Sequence, residues 1–162
     1  MPKVVMSKST RRKQCAGHGT KTTRGCRKQV VDHAAVAVVV DASAVVDLLV
    51  NGYPLPGSVA MASPAHLDAE VLSALGRLHR DGTLSAFDVE EMLEDLAMLG
   101  VVRVPIVQLT MMAFALRHNV ALRDGLYVAL AQLSNALLKT TDARLARTCA
   151  DQRLCSLFAP GT

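Results

Sequence analysis

The sequence feature that most constrains the fold is a short apolar run that ends in an acid. Residues 36–40 read Val-Ala-Val-Val-Val and are followed directly by Asp41. A continuous, mostly β-branched run is typical of a strand buried on both faces, as in a parallel sheet. A carboxylate at the end of such a strand needs a partner, and no cation adjoins Asp41 in the sequence. The run therefore predicts a parallel sheet with a polar site at one end.

Beyond this run, helical and strand patterns alternate along the chain. Apolar periodicity and turn residues predict helices over 44–50, 66–80, 85–99, 107–118, 124–135 and 142–150. Further strands are predicted over 101–104, 136–140 and 154–158. Short strands that alternate with helices indicate an α/β protein in three layers, with a central, mostly parallel sheet flanked by helices.

Charge divides the chain into two parts. Residues 1–35 carry nine basic residues and one acid, a net charge of +8, whereas residues 36–162 carry nine basic and thirteen acidic residues, a net charge of −4. The first part has no apolar period, so we expect a basic, flexible leader over 1–35 and a folded domain over 36–162. The aromatic content of 3% argues against an RNA-binding module built on base stacking.

The leader allows several functional hypotheses. Its cations could bind nucleic acid without sequence preference. Cys15, His18, Cys26 and His33 could form a zinc site, although the second spacing is long and no apolar residues surround it. Ser9–Arg12 resembles a twin-arginine export signal, but only polar sequence follows it for about twenty residues. A translation start near residues 38–40 is a further hypothesis.

Cellular location is predicted from the cysteines and from apolar run lengths. The four cysteines are scattered and no signal peptide precedes them, which indicates the reducing cytoplasm. No apolar run reaches the 18 or so residues that cross a bilayer. We therefore expect a cytoplasmic protein without a membrane partner.

Several acids are predicted to lie at the carboxyl ends of the strands, where open parallel sheets bind their ligands. Asp41 and Asp142 follow strands, and Asp124 opens a helix. Asp124 and Asp142 also stand where an Asp would cap a helix N-terminus, which requires no chemistry. Asp68 and Glu70 flank the apolar stripe of helix 66–80 almost equally, so periodicity does not choose between them.

A cluster of such acids has a predictable chemistry. Two carboxylates about 5 Å apart repel by roughly 3 kcal/mol at an effective dielectric of 20, so a cluster needs a proton or a divalent cation. Oxygen ligands favour Mg²⁺ or Mn²⁺ over zinc. Such ions attract a phosphate, activate water and stabilise a leaving oxygen. The pattern therefore predicts phosphodiester chemistry.

Four segments, in order, resemble the motifs of PIN domains, in the branch of VapC-type toxin ribonucleases. The first is Val-Val-Val-Asp-Ala-Ser-Ala at 38–44, and the second is His-Leu-Asp-Ala-Glu-Val-Leu-Ser-Ala-Leu at 66–75. The third is Arg-Asp-Gly-Leu-Tyr-Val-Ala-Leu-Ala at 123–131, and the fourth is Leu-Leu-Lys-Thr-Thr-Asp-Ala-Arg-Leu-Ala at 137–146. Together they span about residues 36 to 150 and imply a PIN-like fold.

The resemblance also implies a function. It implies a metal-dependent endoribonuclease that cleaves transfer or ribosomal RNA, a homodimer, and a cognate antitoxin that blocks the acidic site. By position, the residues expected to hold Mg²⁺ or Mn²⁺ are Asp41, Glu70, Asp124 and Asp142. Ser43 and Thr140 would support them with hydroxyl groups.

Three features depart from the family pattern. The leader of 35 residues is unusual, and Arg123 and Gly125 stand where a neutral residue and an alanine are common. We expect Arg123 either to contact RNA phosphate or to pair with Asp124. Gly125 would weaken the start of its helix by up to about 1 kcal/mol. None of these departures removes a predicted ligand.

Two other functions remain open. A haloacid-dehalogenase-like phosphatase would use Asp41 as its nucleophile, but that chemistry calls for a second Asp where this chain has Ser43. A non-catalytic PIN-fold protein would bind RNA or another partner through the basic leader. The presence of all four acids argues against this alternative.

Overall fold

The computed structural model describes residues 35–159. The hypotheses for the leader, including its nucleic-acid and zinc sites, fall on residues outside this range and stay predictions. Within the described range, no helix is both long and apolar enough to cross a membrane.

A four-stranded sheet forms the centre of the domain. Its strands are β1 (Val38–Val40), β2 (Met61–Pro64), β3 (Val101–Val104) and β4 (Leu137–Lys139), in the order β3-β2-β1-β4. Every neighbouring pair is parallel. All three β1 residues are buried, because β1 has a strand on each side and helices flank the sheet. The structure thus confirms the predicted parallel sheet.

Strand β2 was not expected from the sequence. It reads Met-Ala-Ser-Pro and contains no β-branched or aromatic residue, although such residues dominate most strands. It nevertheless lies between β1 and β3. Ala62 and Ser63 are fully buried, so tertiary packing rather than local propensity makes this segment a strand.

Within residues 35–159, six α-helices connect and flank the strands. They are α1 (Ala42–Asn51), α2 (Leu67–Arg80), α3 (Ala86–Met98), α4 (Thr110–Ala115), α5 (Leu122–Ser134) and α6 (Ala143–Asp151). The predicted capping box at the start of α3 is present, since Ser85 and Asp88 each accept a hydrogen bond from the other's backbone N–H. Helix α1 ends at Gly52, which adopts a left-handed conformation with φ of 69°.

Two predicted elements are shorter in the structure. The helix expected over 107–118 is a 3-10 turn at Ile106–Gln108 followed by the six residues of α4. Beyond α4, the backbone N–H groups of Leu116, Arg117 and Asn119 bond three residues back, so the chain tightens into turns. The strand expected over 154–158 is reduced to one bridge, between Leu138 and Leu157.

The core lies between the sheet and its helices. Helix α5 contacts β1, β2 and β4 as well as α4, whereas α1, α2 and α3 contact one another. The fully buried side chains include Val39, Val45, Leu67, Leu75, Val128 and Leu138. This packing fixes the carboxyl ends of β1 and β4 relative to the first turns of α2 and α5, from which the candidate site is built.

Candidate active site

Asp41 lies at the end of the sheet where β1 and β4 finish side by side. The register pairs Val40 with Lys139, so the next residues, Asp41 and Thr140, are neighbours across the two strands. The backbone N–H of Asp41 donates to the carbonyl of Lys139 at 3.1 Å. Two segments that are far apart in sequence are thereby joined at the predicted position.

The Asp41 carboxylate is almost completely enclosed and is held by three donors. Asp41 is only 4% exposed. Oδ1 accepts from the Ser43 hydroxyl at 2.7 Å and from the Ala44 backbone N–H at 2.9 Å, and Oδ2 accepts from the Thr140 hydroxyl at 2.5 Å. Asp41 is therefore also the N-cap of α1. The partner that its position required is a set of hydroxyl and amide donors rather than a cation.

Ser43 and Thr140 also tie the fourth acid to this cluster. Ser43 Oγ accepts from the backbone N–H groups of Thr141 at 2.9 Å and Asp142 at 3.1 Å, and Thr140 Oγ1 accepts from that of Asp142 at 3.0 Å. Asp142 caps α6 as predicted, through bonds from the backbone N–H groups of Arg144 and Leu145 to its Oδ1. One hydroxyl pair thus positions both Asp41 and Asp142.

Glu70 projects from α2 toward α5, and three side chains surround it. Its Oε2 accepts from the Tyr127 hydroxyl at 2.7 Å and lies 3.5 Å from His66 Nε2, while Oε1 lies 3.4 Å from Arg123 Nη1. Asp68 pairs instead with Arg103, at 2.9 Å. The structure therefore resolves the choice that periodicity left open: Glu70 faces the other acids and Asp68 does not.

Asp124 lies in the first turn of α5 but does not cap it. The N-cap is Ala121, which has no side chain to accept a bond, so the expected capping role of Asp124 is wrong. Asp124 Oδ2 lies 3.4 Å from Arg144 Nη2. The expected pair of Arg123 with Asp124 is also not formed, because Arg123 pairs with Glu70.

Gly125 has a steric explanation. A Cβ at this position would lie 3.3 Å from the backbone oxygen of Ala113 and 3.5 Å from a methyl group of Val120. Glycine therefore allows α5 to approach the end of α4 closely, and this contact offsets its low helix propensity.

The four acids share one electrostatic environment. Burial raises the pKa of Asp41, its three hydrogen bonds lower it, and the charge of Asp142 raises it further. Burial also raises the pKa of Asp124; Arg144 lowers it, and the charges of Asp142 and Glu70 raise it again. The charge of Asp142 therefore acts on Asp41 and Asp124, and that of Glu70 acts on Asp124. We call these four residues the acidic region.

The donor chemistry of this region fits a hard divalent cation, because all four predicted ligands are carboxylates. Among residues 35–159, however, no three Asp, Glu, His or Cys side chains stand close enough together to hold an ion as they are placed. Glu70 and Asp124 are instead paired with arginines.

Four side chains at the site were not singled out from the sequence. Tyr127 and His66 contact Glu70, and their rings lie 4.8 Å apart. Arg144 contacts Asp124, and Arg77 lies on the next cavity wall. Tyr127 could have been found, because a tyrosine hydroxyl on a buried helix face needs a polar partner. The arginines carry no comparable sequence signal.

A cavity of about 350 Å³ opens beside Glu70, one of the four acids. Glu70, Ser43 and Thr141 line one part of it, and Arg77 and Arg123 line another. Asp47 adds a negative charge to the wall formed by α1. The cavity therefore joins the acidic region to two cationic side chains that face solvent.

Comparison with known proteins identifies the family. The PIN domain family matches residues 38–151. Ribonuclease VapC3 of Mycobacterium tuberculosis is 46% identical over an alignment of 117 positions that covers 68% of this chain and 85% of that protein. Ribonuclease VapC9 of the same organism is 36% identical over an alignment of 114 positions that covers 68% of this chain and 90% of that protein.

A solved structure agrees with the fold. PAE2754 from Pyrobaculum aerophilum superposes with a TM-score of 0.53 at 23% identity, over 79% of this chain and 88% of that one. At this identity the likeness concerns the fold alone. It supports the same conclusion as the parallel sheet and its flanking helices.

Proposed function

The chain belongs to the PIN-domain family, in its VapC ribonuclease branch, and from this premise we propose that it is a Mg²⁺- or Mn²⁺-dependent endoribonuclease. The observation that carries the proposal is the acidic region at the carboxyl ends of β1 and β4, in which the enclosed Asp41 interacts with the charge of Asp142. Metal-dependent phosphodiester hydrolysis uses such a region, because carboxylates bind the cations that attract the anionic substrate.

The proposed ligands are Asp41, Glu70, Asp124 and Asp142. A cation held by them would polarise the phosphate, lower the pKa of a water molecule and stabilise the leaving oxygen. The chain's own contribution is to fix its carboxylates. Ser43 and Thr140 restrain both oxygens of Asp41, and Tyr127 orients Glu70.

RNA would enter through the cavity beside the acids. Arg77 and Arg123 line its wall, and guanidinium groups bind phosphate oxygens with well-defined geometry. We assign Arg123 to a phosphate next to the one that is cleaved. Substrates of the transfer RNA or ribosomal RNA class are proposed from the family alone.

The proposal includes protein partners. A cognate antitoxin would block the acidic site, as the family implies. A homodimer is supported by exposed apolar side chains around α4, where Val107 is 78% and Met111 80% exposed. We also propose a cytoplasmic location, which the same family and the predicted reducing environment support.

The direct test is cleavage of RNA by the purified full chain with Mg²⁺ or Mn²⁺. We expect cleavage that a chelator stops, and a loss of about 10³-fold or more in Asp41→Asn, because the variant removes a central charge while keeping the side-chain shape. The matched control is Asp151→Asn, since Asp151 is an exposed residue at the far end of α6, and it should cleave like the wild type.

The outcomes separate the two candidate functions. Equal cleavage by the wild type and Asp41→Asn would remove Asp41 from the mechanism. RNA binding by the wild type without cleavage under any divalent cation would favour the non-catalytic alternative. Growth arrest on expression that requires Asp41, and that coexpression of a neighbouring gene relieves, would support the toxin role.

A further inference from the structure

Two of the four acids are each paired with an arginine. Arg123 Nη1 lies 3.4 Å from Glu70 Oε1, and Arg144 Nη2 lies 3.4 Å from Asp124 Oδ2. The two arginine side chains are each 77% exposed, whereas those of Glu70 and Asp124 are 19% and 26% exposed. In each pair, a solvent-exposed cation therefore covers a carboxylate that is mostly buried.

These arginines perform a task that the acidic region makes necessary. Carboxylates that share a site repel one another, so some positive charge or a proton must compensate them. The two arginines supply positive charge at Glu70 and Asp124, each at 3.4 Å from a carboxylate oxygen.

The same pairs are easy to break. Ion pairs that involve exposed arginine side chains gain little, because water screens them and the long side chain loses freedom when it is held. By contrast, no arginine or lysine pairs with Asp41 among residues 35–159. Its donors are two hydroxyls and a backbone N–H, which can remain in place when a cation binds.

We propose that Arg123 and Arg144 are intramolecular counter-ions that a divalent cation must displace from Glu70 and Asp124. The inference rests on the proposed function, since it concerns the cation that this function requires. The oxygens that contact the arginines are oxygens that the cation needs, so the two kinds of positive charge compete for them. The affinity of the site for Mg²⁺ or Mn²⁺ is therefore lower than the four acids alone would give.

The test is titration of the full chain with Mn²⁺, followed by isothermal calorimetry, which needs neither RNA nor catalysis. Arg123→Gln and Arg144→Gln should each bind Mn²⁺ about three- to tenfold more tightly than the wild type. Arg144→Lys keeps the charge and should stay close to the wild type. The matched control is Arg147→Gln, an exposed arginine on the same helix as Arg144, which should leave the affinity unchanged.

The results also distinguish this inference from the function on which it rests. Unchanged or weaker Mn²⁺ binding in both glutamine variants, or no binding by any variant, would overturn the inference. If the wild type also cleaves RNA, the proposed function stands without it. Tighter binding in the glutamine variants of a chain that cleaves no RNA would support the counter-ion role and remove the nuclease proposal. Thermal unfolding with a chelator verifies that each variant is folded.

Discussion

The two halves of the acidic region are built in different ways. Asp41 sits in the interior half, where Ser43, Thr140 and a backbone N–H hold it at 2.5 to 2.9 Å. Glu70 and Asp124 form the rim half, where exposed arginines lie 3.4 Å from their oxygens. Neutral donors fix a carboxylate without cancelling its charge, whereas arginines cancel the charge without fixing the position firmly.

This difference indicates how a cluster of like charges can be folded and still be used. The interior half keeps its negative charge in place through hydrogen bonds that a cation need not break. In the rim half, the arginines offset the negative charge and can be displaced. The acids can therefore lie near one another in the folded chain before any ligand binds. Glu70 has both kinds of contact, since Arg123 pairs with it and Tyr127 also donates to it at 2.7 Å.

The largest effect is expected from Thr140→Val in the interior half, because valine keeps the side-chain shape and removes the hydroxyl. Asp41 would lose its 2.5 Å donor, and the backbone N–H of Asp142 would lose an acceptor. We expect a loss of about 100-fold in cleavage and of about 2 kcal/mol in the free energy of unfolding, measured by urea denaturation. Thr83→Val is the control, since Thr83 is exposed and lies after the end of α2, outside the site; an equal loss there would contradict the assignment.

A smaller effect is expected at Glu70, which has both a hydroxyl and an arginine partner. Tyr127→Phe removes the hydroxyl that donates to Glu70 and leaves the ring in the core. Cleavage should fall about tenfold, and the dependence on Mn²⁺ concentration should shift upward because Glu70 is less well oriented. Tyr53→Phe provides the comparison, because Tyr53 is 64% exposed and should behave like the wild type. A wild-type Mn²⁺ dependence in Tyr127→Phe would show that the hydroxyl has no positioning role.

The smallest expected effect is a difference in pH dependence, measured in chelator. Burial raises the pKa of Asp41, so the folded state binds this proton more tightly than the unfolded state and loses stability as the pH rises above about 4. Asp41→Asn should therefore gain stability relative to the wild type as the pH rises from about 4 toward the raised pKa, with a slope of at most about 1.4 kcal/mol per pH unit.

Asp88 is expected to give the opposite pH dependence of stability. Hydrogen bonds from Ser85 lower the pKa of Asp88, so its contribution to stability is present above the unfolded value near 4 and is lost on acidification. Asp88→Asn should become less stable relative to the wild type as the pH rises. Slopes of the same sign for both variants would mean that burial does not govern Asp41.

Most of the fold could be predicted from the sequence because its elements carry strong local patterns. The β-branched run at 38–40 and the amphipathic stripe of α2 are examples, and the structure confirms both. Strand β2 could not be predicted, since Met-Ala-Ser-Pro has no strand propensity and gains its structure from β1 and β3. The break before α4 was also missed, because i−3 bonding there competes with a continuous helix.

The candidate site was predicted in its composition but not in its contacts. Motif resemblance indicated Glu70 rather than Asp68. The physical reason lies in two long-range contacts: Tyr127, 57 positions away, binds Glu70, and Arg103, 35 positions away, binds Asp68. The pairing of Arg123 with Glu70 rather than Asp124 likewise depends on how α2 and α5 pack. Contacts across such distances leave no local pattern, so the sequence indicated the charges and the fold determined their partners.

The contact between Asp41 and Thr140 joins residues 99 positions apart. During translation, Asp41 is synthesised early, and its hydroxyl partner Thr140 is added only near the end of the domain. During most of that synthesis, the nascent polypeptide carries Asp41 and Glu70 but no strand β4 against which to arrange them. RNA close to the growing chain therefore meets an incomplete centre, and any nuclease activity begins when the last strand joins the sheet.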